Sequence, residues 1–125
     1  DLNSEYVGIG VETPTSRLHV NGNVNATSYN GQTFSSTSSI RYKHNVQPLF
    51  NALSIIEKLQ GVTFDWKETG KSDIGLIAEQ VNEVVPEFVL KDEEGLPKGI
   101  DYGKLTSILI EAVKELSALI KSQKS

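Results

Sequence analysis

Apolar residues change their spacing partway along this chain, and the change divides it in two. In the first part, Tyr6-Val7-Gly8-Ile9-Gly10-Val11 and Arg17-Leu18-His19-Val20 are short runs of strand-forming residues. Glu12-Thr13-Pro14-Thr15-Ser16 separates them, and the turn signal Asn21-Gly22-Asn23 follows. A third run, Ala26-Thr27-Ser28-Tyr29, closes on a second Asn-Gly pair at Asn30-Gly31. The pattern predicts short strands joined by tight turns, with too few large apolar residues to build a core alone. Copies of the same segment are its simplest packing partner.

From Pro48 onward the period is helical. Leu49, Ala52, Leu53, Ile56 and Leu59, with Phe50 and Ile55 alongside, recur three and four apart, which predicts an amphipathic helix with Pro48 in its first turn and Gly61 as its stop. Val62-Thr63-Phe64-Asp65-Trp66 alternates as a half-buried strand, followed by a polar turn from Lys67 to Asp73. Ile74-Gly75-Leu76-Ile77-Ala78 reads as a buried strand or helix entry, and Glu79 to Val85 as a short helix halted near Pro86. Phe88-Val89-Leu90 is a further strand before the acidic turn Asp92-Glu93-Glu94-Gly95.

The closing segment predicts a long helix with Asp101 as its N-cap. Tyr102, Leu105, Leu109, Ala112, Leu116 and Leu119 are spaced alternately three and four apart, the coiled-coil period, over fewer than three heptads. Flanking Ile108, Ile110, Val113 and Ile120 widen the apolar surface, so this helix is expected to serve both its own domain and a partner helix. An ordinary amphipathic helix docked on its own domain accounts for the same spacing. The fold class expected is α+β: a short β-rich segment, then a small mixed domain ending in the long helix.

Composition sharpens the division. The 125 residues, 38% hydrophobic and 22% charged, suit one modest soluble domain or a small domain with a piece of something larger. Asp1, Glu5, Glu12, Arg17 and His19 are the only titratable acids and bases, tyrosines aside, before residue 40, whereas Leu, Ile, Glu and Lys dominate after it. A core at this length is thin, which makes oligomerisation a natural source of further stability. A net charge of −4 and a pI near 5.1 give no electrostatic reason to expect nucleic acid or an anionic membrane as partner. No apolar run approaches the roughly 20 residues of a membrane span, and no signal peptide is recognisable at the start. Strand-like sequence directly after Asp1 reads as part of a longer polypeptide.

Most candidate chemistry falls away. Without cysteine there is no disulfide or thiolate metal site. His19 and His44 lie in different segments with no carboxylate cluster at ligand spacing, and no metal or other cofactor is expected. Gly8-Ile9-Gly10 lacks the third glycine and strand-to-helix context of a dinucleotide loop. Glu79, Glu83, Glu87 and Asp101 are carboxylates with nothing to single out a catalytic pair, and Asp92-Glu93-Glu94 reads as a solvated loop.

Thr37-Ser38-Ser39-Ile40-Arg41-Tyr42-Lys43-His44-Asn45 is different, because it places hydroxyls and two cations at the compositional boundary. A serine hydroxyl is a weak nucleophile until a base takes its proton, and a lysine becomes such a base once burial or a nearby cation lowers its pKa. A separation of five residues faces opposite sides of a strand and is poor on a helix, so such a pair meets only in a turn or across a subunit interface.

Ser38-Ser39-Ile40-Arg41-Tyr42-Lys43-His44-Asn45-Val46 resembles the signature Ser-Asp-x-Arg-x-Lys-x-Asn-Ile/Val that opens the endosialidase-type intramolecular chaperone domain. That is a self-cleaving Ser/Lys peptidase family found at the C-terminus of phage tailspikes and fibres and in some eukaryotic membrane-bound transcription factors. Ile74-Gly75-Leu76-Ile77-Ala78-Glu79-Gln80-Val81, Val84-Val85-Pro86-Glu87 and Gly99-Ile100-Asp101-Tyr102-Gly103-Lys104-Leu105 are similar to its later motifs. Val7 to Gly22 resembles the pattern found where viral fibre stems meet this domain, which favours the fibre setting.

The resemblance implies two domains, 1–37 as the end of a β-rich stem and 38–125 as the chaperone. It implies a homotrimer whose client is the preceding stem, with Tyr102, Leu105, Leu109, Ala112, Leu116 and Leu119 as the seam. It implies that Ser38 attacks the carbonyl of Thr37 with Lys43 as general base, cutting the Thr37-Ser38 bond, while Arg41 and Ser39 support them. The stem would belong to the virion, and the chaperone domain would act in the host cytoplasm during assembly until released. One residue departs from the signature: Ser39 stands where Asp is usual, which removes a carboxylate and places two hydroxyls side by side, of which Ser38 has the family's separation from Lys43. A structural trimerisation module that does not cleave, and a receptor-binding fibre tip that stays attached, are the alternatives.

Overall fold

The computed structural model describes residues 5–124. Two units can be distinguished, one running to His44 and the other beginning at Asn45.

In the first unit, strands β1 (Val7–Ile9) and β2 (Leu18–Val20) pair in parallel, with Val7 opposite Leu18 and Ile9 opposite Val20. Both strands fall inside the runs read from the sequence. Two glycines let the chain turn closely enough to pair them. A side chain at Gly8 would lie 2.7 Å from the Val11 carbonyl oxygen, and Gly10 has φ +71. Ala26–Tyr29, expected as a third strand, has no ladder partner among the described residues and is irregular. The Tyr29 hydroxyl bonds locally instead, donating to the Val24 carbonyl at 2.6 Å. No described residue of this unit is buried, as its shortage of large apolar side chains predicts.

The second unit is mixed α/β. Its helices are α1 (Ala52–Glu57), α2 (Ala78–Val84) and α3 (Tyr102–Gln123). β3 (Val62–Asp65) and β4 (Ser72–Gly75) form one antiparallel hairpin, and β5 (Val89–Lys91) and β6 (Pro97–Ile100) another. The core is a single cluster of Ala52 from α1, Val81 from α2, Val85, Phe88, Val89 from β5, and Ile108 and Ala112 from α3. No helix among the described residues is long and apolar enough to cross a membrane.

Three expectations need correction. The first helix does not begin at Pro48: Asn51 is left-handed at φ 60, so α1 starts only at Ala52 and ends before Leu59, which closes a 3₁₀-type turn onto Ile56. Ile74 is not buried, being 77% exposed, because it pairs with Thr63 on the solvent face of the β3–β4 hairpin while Val62 and Phe64 take the other face. β6 lies where no strand was expected; Pro97 is compatible with it as the first residue of an edge strand.

α3 is the long closing helix, and Asp101 caps it by accepting from the Lys104 amide at 3.4 Å. α1 has no side-chain cap of its own. Its Leu53 amide donates instead to Glu115 Oε2 of α3 at 3.0 Å, in a partly buried setting. An isolated helix of this length is unstable in water, so α1 depends on α3 for both its packing and its terminus. Glu115→Ala should therefore destabilise the chain by about 1–2 kcal/mol in urea denaturation, since it strands that donor. Glu115→Gln, which keeps an acceptor oxygen, should lose less. Ile108→Ala, emptying one of the most enclosed large side chains, should lose about 2–5 kcal/mol in the same measurement.

Candidate active site

A single 3₁₀ turn, Ile40–Tyr42, organises the segment singled out in the sequence. The Tyr42 amide donates to the Ser39 carbonyl and the Lys43 amide to the Ile40 carbonyl, each at 3.1 Å. Reversal of the chain over these residues brings Lys43 Nζ to 2.7 Å from Ser38 Oγ. A serine and a lysine five positions apart are therefore in hydrogen-bond contact within one chain, through the turn rather than a regular element. Both side chains are exposed, as are Thr37 and Arg41.

Ser39 is half-buried and has different partners. Its backbone is extended at φ −63 and ψ 141, the conformation of an N-cap, and its Oγ accepts from the Arg41 amide at 3.3 Å and from Arg41 Nε at 3.1 Å. The Arg41 guanidinium also lies 5.1 Å from the centroid of the Tyr42 ring. Ser38 and Lys43 thus form one pair, and Ser39 and Arg41 a second, on the same turn.

The apolar residues of α3 divide between two faces. Ala112 is buried and Leu105 half-buried, both packed with the core, whereas Tyr102, Leu109, Leu116 and Leu119 are exposed. Val113 is 63% exposed and Ile120 48%. Leu109, Val113, Leu116 and Ile120 follow one another at intervals of four, three and four, forming a solvent-facing stripe beside the core-facing one. Sequence spacing alone admitted either choice of partner for Leu109 and Leu116.

Sequence reasoning missed a cleft of about 530 Å³ whose walls include Phe64, Trp66, Asp73, Ile74, Glu79 and Tyr102. Phe64 and Trp66 meet edge to face at 5.0 Å, and the Tyr102 hydroxyl accepts from the Leu76 amide at 3.1 Å. The alternation of Phe64 and Trp66 was visible in the sequence, but not the approach of β6 and the start of α3 to the β3–β4 hairpin. Asp73 accepts from the Ile74 amide at 2.8 Å and from Trp66 Nε1 at 3.0 Å. These bonds, the backbone one first, hold its carboxyl below the ordinary aspartate range.

Residues 38–90 match the model of a peptidase family described as chaperone of endosialidase. The chain is 37% identical over 98 residues to the long tail fiber protein Gp37 of Enterobacteria phage K3, and equally to that of Enterobacteria phage T2. Each alignment covers 70% of this chain but only 8% and 7% of the two relatives, so the chain spans less than a tenth of their length.

The Asp73 bonds are made to the ionised carboxylate, so what they contribute is present above the ordinary aspartate pKa and is lost as pH falls through the lowered one. Trp66 is the only tryptophan. Its fluorescence, followed from about pH 7 to about pH 2, should show a transition with its midpoint below about 3.9, and Asp73→Asn should abolish that transition.

Proposed function

Because this chain belongs to the chaperone-of-endosialidase family, we propose that it trimerises and folds the stem of a phage tail fibre and then releases itself by autoproteolysis between Thr37 and Ser38. Residues 1–37 are then the end of the stem, which stays with the virion. Residues 38–125 are the chaperone, which acts in the host cytoplasm during assembly. The observation that carries the reading is the 2.7 Å contact of Lys43 Nζ with Ser38 Oγ, at the first residue of the family match.

In the proposed reaction the neutral Lys43 amine takes the Ser38 hydroxyl proton as Oγ attacks the Thr37 carbonyl carbon. The tetrahedral intermediate collapses as Lys43 returns the proton to the Ser38 nitrogen, which breaks the peptide bond and leaves Thr37 esterified to Ser38 Oγ. Water then hydrolyses the ester, giving a Thr37 carboxylate and a free Ser38 amine and hydroxyl. The enzyme acts once, on itself. Lys43 donates to Ser38 in the resting chain and must accept from it as base, and burial is the change that favours an uncharged amine. Ser38 and Lys43 are exposed on the single chain, so the packing of neighbouring chains over the turn is proposed to start the chemistry.

The trimer is supported by unused apolar surface. On α3 alone, Leu109, Val113, Leu116 and Ile120 each keep about half or more of their surface in solvent, a contiguous apolar stripe that a second copy of the helix would cover. We propose that the seam runs along the exposed residues Leu109, Val113, Leu116 and Ile120 of α3; of the residues expected in it, Leu105 and Ala112 pack inward, Tyr102 bonds the Leu76 amide through its hydroxyl, and Leu119 is exposed next to Ile120.

Intact mass after expression of the full chain tests cleavage. A new N-terminus at Ser38 is expected, and Ser38→Ala or Lys43→Ala should each leave the chain whole; a cut that survives both changes removes the dyad. An uncleaved natural chain after long incubation favours the non-cleaving module.

Sedimentation tests assembly. A trimer at micromolar concentration is expected, with Leu109→Asp or Val113→Asp giving a helical monomer. A monomeric natural chain would overturn the trimer.

A further inference from the structure

Two adjacent serines precede the 3₁₀ turn, and they are chemically alike. Their surroundings are not. Ser38 Oγ is exposed and receives Lys43 Nζ at 2.7 Å. Ser39 is half-buried, and its Oγ receives two donors, both from Arg41. A hydroxyl oxygen offers two acceptor lone pairs, so Arg41 occupies both. Ser39 also holds the turn through its backbone, its carbonyl accepting from Tyr42 at 3.1 Å.

We infer that Ser39 is a positioning residue for self-cleavage and is not the nucleophile: by fastening the amide and Nε of Arg41 it closes the turn that keeps Lys43 on Ser38. This rests on the Ser38 and Lys43 assignment proposed above. A one-turn 3₁₀ element with two backbone bonds is marginal by itself, and its cap decides how much of the time it is formed. Since Lys43 reaches Ser38 only across that turn, the cap sets the fraction of chains in which base and nucleophile are in contact. Arg41 then acts through Ser39 and Tyr42, as a clamp on the turn.

The test is the rate at which the full chain cuts itself. Ser39→Ala should slow it about 5- to 10-fold, the effect of losing a cap of ordinary strength. Ser39→Thr and Ser39→Asp, which keep an acceptor for both Arg41 donors, should restore it to within about 2-fold, because Thr and Asp are both effective caps. The new N-terminus should be Ser38 in every case. Arg41→Ala should slow the reaction in the same way, and the Ser39→Ala, Arg41→Ala double variant should be little slower than either, as expected of partners in one interaction.

An unchanged rate in Ser39→Ala overturns the inference. So does complete loss of cleavage in both Ser39→Ala and Ser39→Asp while Ser38→Ala still cuts, since that would make Ser39 the nucleophile. If cleavage persists in Ser38→Ala and in every Ser39 variant, the dyad reading fails instead.

A second measurement does not depend on turnover. In ¹⁵N spectra of the full chain carrying Ser38→Ala, exchange of the Arg41 Nε proton with water should be slowed with Ser39, Thr or Asp at position 39, and about 5-fold faster with Ala. Equal exchange in all four overturns the positioning role, whether or not the natural chain cleaves.

Discussion

The packing of α1 on α3 is the contact on which the second unit depends. Ala52 is fully excluded from solvent, in one cluster with Ile108 and Ala112, and the absence of bulk at Ala52 and Ala112 leaves room for the Ile108 side chain between helices. α1 is six residues long, follows a left-handed asparagine and brings no cap. Neither propensity nor local hydrogen bonding would hold it, so its existence is a tertiary effect of α3, reinforced where Glu115 receives the Leu53 amide. Val81, Val85, Phe88 and Val89 then extend the same cluster to α2 and the β5–β6 hairpin. The longest helix is thus the platform for α1, and through the shared cluster for α2 and the β5–β6 hairpin.

That dependence limits the core. α3 turns Ile108 and Ala112 inward, and the rows beside them, Leu109 with Leu116 and Val113 with Ile120, stay in solvent. The first unit carries the shortage further, with no buried described residue at all. Both halves leave apolar surface without a partner, for one reason: the chain has strand and helix faces enough for a larger core than it can close. Copies of the chain packed around α3 would cover one set of these faces. Under the proposed role, a helix-rich nucleus gathers three strand-rich segments whose pairing is otherwise slow and costly in entropy.

What the sequence revealed follows the range of each interaction. β1, β2, α2 and the Asp101 cap of α3 were legible because alternation, helical period and capping residues act within a few positions. The start of α1 was not, since Pro48 looks like a helix start and only the left-handed Asn51 shows otherwise. Ile74 was misplaced because an apolar run does not say which face of a hairpin is covered. On α3, a period near 3.5 allows two adjacent rows, and only the packing of Leu105 and Ala112 against α1 and its neighbours separates the inward row from the outward one. At the site, spacing alone demanded a turn or a neighbouring chain to join Ser38 and Lys43; the 3₁₀ turn is the first of these. The partner of Ser39 was invisible, because nothing in the run of residues says that Arg41 folds back over two positions.

The local character of that turn bears on timing. Contacts spanning five residues close in well under a millisecond, whereas association of chains is slower and depends on concentration. Under the proposed mechanism, Ser38 and Lys43 therefore meet long before the stem is assembled, and their encounter cannot be what delays cleavage. The delay must lie in a non-local step. Covering the exposed turn is such a step, because it disfavours the charged amine and excludes water from the carbonyl under attack. A local dyad governed by a non-local covering orders folding before cleavage without any further signal. Under the same proposal, cutting the bond would let the nucleating helices leave, and the fibre would then be held by the barrier to unfolding rather than by the equilibrium that assembled it.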